Sequence, residues 1–192
     1  MQMKKRVAVA LVLFAVIACK REQTVTTRGA DSTAATQTET RTQTESEQAS
    51  TDVGSTMPEY AAVNLDGSKF DLAAKRDKVV LLNVWATWCG PCRYEIPELQ
   101  QLHEHYTPRG LEVIGVSVDE SGVESVRDFV AEQPKMTYPI VLDADGKITA
   151  LLQTVVLPTS VLVDRNGKIV WKKYGAIMQG DEELKKAIEA AL

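Results

Sequence analysis

Two cysteines separated by two residues, Cys89 and Cys92, are the side chains of this sequence with the clearest capacity for chemistry. They stand in the run Trp-Cys-Gly-Pro-Cys at 88–92, between an apolar segment and a segment with helical spacing. Cysteines at this spacing in the first turn of a helix can close a disulfide bond, and only the first is well placed to meet a partner. We therefore expect Cys89 to attack and Cys92 to resolve the mixed disulfide.

The start of a helix also favours the reactive form of the first thiol. Free backbone N–H groups and the positive end of the helix dipole stabilise a thiolate relative to a thiol. Because the thiolate is the nucleophile in disulfide exchange, a lowered pKa increases the reactive fraction of Cys89 near neutral pH. Pro91 suits this first turn, since its missing N–H would have no partner there.

Other uses of the pair are weaker. A structural disulfide across so short a loop gains little from constraining the unfolded chain. A zinc site needs further ligands, and His103 lies 11 residues after Cys92, which is roughly 16 Å along a continuous helix. We therefore predict no metal and place His103 and His105 at the surface. A copper(I) carrier that uses both thiols as soft ligands stays open as a non-catalytic alternative, without a Met-rich or His-rich segment to support it.

The elements that must position the pair follow from apolar patterning. The nearly continuous apolar run at 79–85 predicts a strand buried on both faces, and a helix from the pair to Tyr106 should kink at Pro97. The flanking patterns predict a hairpin around Asp66-Gly67, strands at 111–118, 160–163 and 168–173, helices at 123–132 and 147–153, and a last helix with Asp181 as its N-cap. Together these elements make an α/β sandwich.

The beginning of the chain has the features of an export signal. Basic residues at 4–6 precede an apolar run at 7–18, which is shorter than the roughly 20 residues that a membrane-spanning helix needs. The small residues before Cys19 resemble the lipobox of bacterial lipoproteins, in which the cysteine is lipidated. We expect a signal peptide at 1–18 and a lipidated Cys19; an ordinary secretory peptide is the alternative.

The following segment differs in composition from the rest of the chain. Residues 20–56 contain no Leu, Ile, Phe, Trp or Tyr, so they cannot bury enough apolar surface to offset their ordering entropy. We predict a disordered tether at 19–56, after which 57–192 form one domain, and nothing requires more than a monomer. The net charge of −4 argues against binding to nucleic acid. Without Cys19, only two cysteines remain, which excludes a disulfide-rich scaffold.

Two stretches of the sequence resemble a known family. Residues 83–92, Asn-Val-Trp-Ala-Thr-Trp-Cys-Gly-Pro-Cys, look like the active-site segment of thioredoxin-like proteins. Residues 93–97, Arg-Tyr-Glu-Ile-Pro, and 156–159, Val-Leu-Pro-Thr, are similar to the TlpA/ResA-like branch of the redoxin/AhpC-TSA-like superfamily. The resemblance implies an α/β thioredoxin-like fold, in which a central mixed β-sheet flanked by helices carries an N-terminal β-hairpin and an insertion.

The resemblance also implies a docking edge beside the pair. In the family, the proline that matches Pro158 is cis, and the residue before it offers backbone hydrogen bonds to a bound peptide. Leu157 and Pro158, together with Trp88, would then bind the client protein. A trans proline at the start of the strand at 160–163 is the alternative, as is a Trp88 that only packs at the rim.

A proton acceptor for the cysteines is implied in the same way. Glu95 stands three residues after Cys92 and so faces the same side of the helix. By resemblance it tunes or relays protons, because Cys92 must be deprotonated before it resolves a mixed disulfide; a solvated glutamate is the alternative. Cytoplasmic thioredoxins carry a buried acid six residues before the first cysteine, where this sequence has Asn83, which cannot take up a proton.

The resulting hypothesis is a protein-disulfide reductase outside the cytoplasm that needs no cofactor. Its implied partners are oxidised thiol proteins such as cytochrome c precursors, and a membrane-embedded electron donor. Gly-Pro between the cysteines matches the more reducing relatives, at about −270 mV against about −120 mV for strong oxidants. A thiol peroxidase is the enzymatic alternative, but Ala86 stands where such enzymes carry a threonine.

Overall fold

The computed structural model describes residues 50–133 and 136–192. They form a seven-stranded mixed sheet in the order β2-β1-β5-β4-β3-β6-β7. Its strands are β1 (Ala61–Asn64), β2 (Lys69–Asp71), β3 (Val79–Trp85), β4 (Leu111–Ser117), β5 (Ile140–Leu142), β6 (Thr159–Val163) and β7 (Ile169–Tyr174). The helices are α1 (Gly90–Tyr106), α2 (Val123–Ala131), α3 (Lys147–Leu151) and α4 (Glu182–Ala191). The predicted signal peptide, Cys19 and the tether up to residue 49 lie outside the described residues.

Strand β3 lies inside the sheet and is buried along its whole length. It pairs in parallel with β4 and antiparallel with β6. Its side chains alternate between two hydrophobic clusters, because successive residues of a strand point to opposite faces. Leu81 and Trp85 belong to the cluster that includes buried residues of α1, α2 and α4, whereas Leu82 and Val84 belong to the one that includes α3. The predicted strand buried on both faces is therefore confirmed.

Helix α1 begins directly after the first cysteine and carries the second in its first turn. Cys89 is the N-cap residue, and a proline occupies the first turn, as the sequence predicted. The helix continues through Pro97 to Tyr106, and buries Leu99 and Leu102 against the sheet. The helix therefore holds the cysteine pair at the end of β3.

The domain begins earlier than the sequence indicated. Thr51 is 3% exposed, the Gly54 N–H donates to the Ile169 carbonyl at 2.7 Å, and the Ile169 N–H donates to the Ser55 carbonyl at 2.9 Å. Thr56 also forms an antiparallel bridge with Lys168. The prediction that the tether continues to Thr56 is therefore wrong for its last six residues, because backbone pairing with the edge strand β7 needs no apolar side chains.

The remaining helices and strands agree with those predicted from the apolar pattern of the sequence, except for one strand that was not predicted. Asp181 caps α4 by accepting a hydrogen bond from the Leu184 N–H, and the hairpin of β1 and β2 surrounds Gly67. Strand β5 was not predicted; it lies between β4 and β1. Within residues 50–133 and 136–192, no helix combines the length and apolar character needed to cross a membrane.

Candidate active site

The two cysteines form a disulfide bond where β3 passes into α1. Their sulfur atoms are 2.06 Å apart and their Cα atoms 5.3 Å apart. The Cys89 N–H donates to the Ala86 carbonyl at 3.1 Å, which closes a turn between the strand and the helix. Cys89 is 5% exposed and Cys92 is 1% exposed. Both are therefore buried in the disulfide form, Cys89 slightly less so than Cys92.

The first turn of α1 directs a backbone donor at Cys89. The Cys92 N–H lies 3.3 Å from the Cys89 sulfur, and the helix that follows is 17 residues long. Unpaired N–H groups and the positive end of such a helix stabilise negative charge. The arrangement can therefore hold a thiolate at Cys89 once the disulfide is reduced.

A proline in the cis form lies beside this turn. The Leu157–Pro158 peptide bond is cis, so the expectation drawn from the resemblance is confirmed and the trans alternative is wrong. Thr159 pairs with Val84 across β6 and β3, which brings the residues before β6 to the end of β3 where the cysteines begin. Pro158 itself is buried, and its carbonyl accepts a hydrogen bond from the Gly175 N–H at 2.8 Å.

The loop before the proline presents both backbone and apolar surface. Within the described part of the chain, neither the N–H nor the C=O group of Leu157 has a hydrogen-bond partner. Val155 and Val156 are exposed, and Trp88, the residue before Cys89, is 69% exposed. Trp88 is therefore not a core residue, whereas Trp85 is buried against Phe129, with 5.3 Å between ring centroids. Free backbone groups beside apolar side chains suit an extended peptide.

Glu95 is a buried carboxylate, so the alternative of a solvated helix residue is wrong. It is 1% exposed. One carboxylate oxygen accepts from the Asn83 amide nitrogen at 2.7 Å and the other from the Ile177 N–H, also at 2.7 Å. Burial raises the pKa of Glu95 to about 7, against the lowering effect of these two hydrogen bonds. The group can therefore exchange a proton near neutral pH.

Asn83 positions the Glu95 carboxylate, a role that the sequence alone did not indicate. It is 1% exposed in the middle of β3. Its amide nitrogen donates to Glu95 and also to the Ser160 hydroxyl at 2.9 Å. A polar side chain inside an otherwise apolar strand was the sequence signal for this role, because buried polar groups need partners. Asn83 thus takes up no proton but holds the side chain that can.

Three further residues near the turn were missed by the sequence reasoning. Asp119 follows β4, is 3% exposed, and accepts hydrogen bonds from Thr87 and from the Ser117 hydroxyl. The available signal was an acid close to the end of a buried strand that neighbours β3.

His105 is exposed and His103 is half-buried near Tyr138, both in the C-terminal half of α1. The structure does not bring either histidine into the site.

Comparisons with known proteins agree with this geometry. Residues 53–172 match the model of the AhpC/TSA family. The chain is 32% identical over 146 residues to the thiol-disulfide oxidoreductase ResA of Bacillus thuringiensis subsp. konkukian, covering 76% of this chain and 80% of that protein. The ResA of Geobacillus kaustophilus is 36% identical over 137 residues, covering 71% and 78%. A crystal structure of a putative thiol:disulfide interchange protein DsbE from Chlorobium tepidum superposes with a TM-score of 0.68 at 33% identity, covering 74% and 99%.

Proposed function

The chain belongs to the AhpC/TSA family and is a thiol-disulfide oxidoreductase, and from this premise we propose that it reduces disulfide bonds of exported proteins outside the cytoplasm. The observation that carries the proposal is the grouping of the Cys89–Cys92 disulfide, the cis Pro158 and the buried Glu95 around the start of α1. The pair supplies two electrons, the proline loop supplies a docking edge, and the glutamate supplies a proton acceptor.

The reduced protein would act in two exchange steps. The Cys89 thiolate attacks one sulfur of the client disulfide, which forms a mixed disulfide and releases the other client sulfur as a thiolate that takes up a proton. Cys92 then loses its proton and attacks the Cys89 sulfur, so the second client thiol leaves and the Cys89–Cys92 bond closes. The client gains two electrons and two protons, and the pair is oxidised.

Glu95 would receive the proton that Cys92 must lose. Its burial and its pKa of about 7 support this role, because a group that titrates near neutral pH can both take up and return a proton. Asn83 and the Ile177 N–H would keep the carboxylate in place through their hydrogen bonds. Glu95 would then be a catalytic residue alongside the two cysteines.

The client would dock along the loop before β6. We infer that an extended segment of the client pairs with the free backbone groups of Leu157 and lies against Pro158 and Trp88. The exposure of Trp88 and of the neighbouring valines supports this surface, since apolar side chains beside unpaired backbone groups bind extended chains. Cytochrome c precursors are the clients that we propose.

The place of action is inferred from the beginning of the chain. The basic residues, the apolar run and Cys19 support export, and a lipid on Cys19 would anchor a monomeric domain to a membrane. A membrane-embedded donor would then reduce the Cys89–Cys92 disulfide after each turnover, because the exported protein has no access to cytoplasmic reductants.

The reduction potential of the cysteine pair tests the direction of electron flow. The pair is equilibrated in glutathione or dithiothreitol buffers, and the reduced fraction is counted by thiol labelling, with Cys92→Ser as the control without a disulfide. A potential near −270 mV is expected for a reductase, whereas one near −120 mV would make the protein an oxidase of exported thiols. Consumption of hydrogen peroxide that depends on Cys89 would instead support the peroxidase alternative.

A further inference from the structure

A buried carboxylate lies beneath the turn that presents the cysteine pair. Asp119 is 3% exposed and stands two residues after the end of β4. Its oxygens accept hydrogen bonds from the Thr87 N–H at 3.0 Å, from the Thr87 hydroxyl at 2.5 Å and from the Ser117 hydroxyl at 2.7 Å. Burying a carboxylate is costly unless it is well bonded, so three donors on one side chain indicate a defined position.

The bonds to Thr87 reach the centre of the turn. Strand β3 ends at Trp85 and α1 begins at Gly90, so the four residues between them set where the first thiol lies relative to the helix. The Cys89 N–H closes the turn on the Ala86 carbonyl at 3.1 Å, with Thr87 as the second of its four residues.

Packing contributes little support on the outer side of the turn. Trp88, its third residue, is 69% exposed, and an exposed side chain cannot hold a backbone in one conformation. Asp119 bonds both the N–H and the hydroxyl of Thr87, and a backbone and a side-chain bond together fix the residue's position and orientation. The carboxylate thus restrains the turn from the end of the neighbouring strand β4.

We propose that Asp119 is a positioning residue for Cys89. It acts through Thr87 and does not touch the reacting sulfur: by fixing the turn, it keeps the Cys89 sulfur in line with the backbone donors at the start of α1. The inference rests on the proposed function, in which Cys89 is the attacking thiol. A purely structural Asp119 would stabilise the end of β4 without affecting the reactivity of the thiol.

Removal of the carboxylate should therefore lower the reactivity of Cys89. In Asp119→Ala the turn is free to move, and the thiolate loses part of its stabilisation by the helix start. We expect the rate of Cys89 alkylation at neutral pH to fall by up to about tenfold, because a rise of one unit in the thiol pKa removes about nine-tenths of the thiolate when the pKa lies above the pH and less when it lies near the pH. Asp119→Asn keeps an acceptor for the Thr87 N–H and should retain part of the rate.

The experiment measures alkylation of the reduced full chain by iodoacetamide across a pH series. Fragment-ion mass spectrometry assigns the label to Cys19, Cys89 or Cys92. Thr87→Val removes one hydroxyl at nearly constant volume and should lower the Cys89 rate in the same direction as Asp119→Ala. Asp143→Ala is the matched control, since Asp143 is 4% exposed and accepts from the Ile148 N–H at 2.7 Å, at the start of α3; it should alkylate at the wild-type rate.

The outcomes separate this inference from the proposed function. Folded Asp119→Ala and Thr87→Val proteins that alkylate at the wild-type rate and pH would overturn it, as would an equal loss in Asp143→Ala. If Asp119→Ala does not fold, Thr87→Val decides alone. Preferential alkylation of Cys92 in the wild-type protein would instead refute the assignment of Cys89 as the attacking thiol, whatever the variants do.

Discussion

At the level of single residues, Glu95 shows how a fold can bury a carboxyl group that still gains and loses a proton near neutral pH. Asn83 on β3 and the Ile177 N–H after β7 each bond one of its oxygens, and Ser160 on β6 accepts the second N–H of Asn83. Burial raises the pKa to about 7, so the protonated and ionised forms coexist near neutral pH. Such a group suits a reaction in which a thiol must be deprotonated and a proton returned.

The raised pKa predicts that the stability of the oxidised protein depends on pH. Because the pKa of Glu95 is about 7 in the folded protein and 4.5 ordinarily, the folded state keeps a proton that the unfolded chain has lost between these values. Stability should therefore fall as pH rises from about 4.5 to 7, by up to about 3 kcal/mol. Glu95→Gln carries no titrating group and should lose this dependence, as measured by urea unfolding at pH 5 and pH 8.

A second glutamate on the same helix provides the control for this prediction. Glu98 is 6% exposed, and its carboxylate accepts from the Gly180 N–H at 3.3 Å. Glu98→Gln should keep the wild-type slope. Equal slopes in the wild-type and Glu95→Gln proteins would show that Glu95 loses its proton at the same pH in the folded and unfolded states, which contradicts the raised pKa.

Two hydroxyl groups should determine how well the docking loop binds a client. Thr159 is fully buried, and its hydroxyl donates to the Val156 carbonyl at 2.7 Å and contacts the Thr154 hydroxyl at 3.0 Å. Thr159→Val removes the shorter of the two hydrogen bonds to that carbonyl, leaves only the bond from the Thr154 hydroxyl at 3.4 Å, and loosens the loop. We expect KM for a peptide disulfide to rise about two- to tenfold, the equivalent of one hydrogen bond, while the reduction potential stays unchanged.

Thr149→Val controls for the loss of a hydrogen-bonded, half-buried threonine hydroxyl elsewhere. Its hydroxyl donates to the Gly146 carbonyl at 2.7 Å, at the start of α3. This variant should keep the wild-type KM. A Thr159→Val protein with normal KM, or with a shifted reduction potential, would contradict a role confined to docking.

At the level of elements, local patterns predicted most of the fold. Strand β3 and helix α1 were predicted almost to the residue, because a continuous apolar run and helical spacing depend on neighbouring residues alone. Strand β5 was missed because it has three residues, too few for a period to show. Its place beside β4 is fixed by pairing with distant parts of the chain.

The site was predictable in its residue types and not in its contacts. The cysteine pair and Pro158 stood out by spacing and resemblance, whereas the bond from Ile177 to Glu95 joins residues 82 positions apart. No local pattern encodes such a contact. Asp119 was missed for the same reason, since its partner Thr87 lies 32 positions away. Polar residues close to the ends of buried strands were the signal that local reasoning underused.

The early start of the domain predicts that residues 51–56 stabilise it. These residues bond the edge strand β7, and Lys172 donates to the Thr51 carbonyl at 3.3 Å. A chain that begins at Met57 loses two backbone hydrogen bonds between this segment and β7, worth about 1 to 3 kcal/mol together. We expect its thermal midpoint to fall by several degrees, about 2 to 4 °C for each kcal/mol, as measured by calorimetry.

A chain that begins at Ser50 is the matched control, because it keeps every one of these contacts. It should unfold at the same temperature as longer versions of the protein. If the two truncations have equal midpoints, the pairing with β7 contributes nothing and the domain begins at Met57 after all.

At the level of the whole molecule, chain directions gather the site at one end of the sheet. Strands β3 and β7 end there and β6 begins there, since β6 is antiparallel to both. The turn before Cys89, the loop before Pro158 and the segment after Tyr174 therefore meet around the disulfide. Cys89, Pro158 and Ile177 lie on these three connections, and Cys92 and Glu95 lie on α1, which begins at the first of them. The two hydrophobic clusters hold the strands that carry these connections.

The proposed anchor predicts a third role for cysteine that is independent of the redox pair. If Cys19 is lipidated, cells fed an alkyne-tagged fatty acid should label the wild-type and Cys92→Ser proteins, and Cys19→Ser should carry no label. Disulfide reduction should show the opposite pattern to labelling. The folded domain of Cys19→Ser should still reduce disulfides, whereas Cys92→Ser should not, because this variant cannot resolve the mixed disulfide. One acyl chain binds membranes only marginally, so lasting attachment requires further chains or contacts. A wild-type protein without label would instead make the first eighteen residues an ordinary secretory signal.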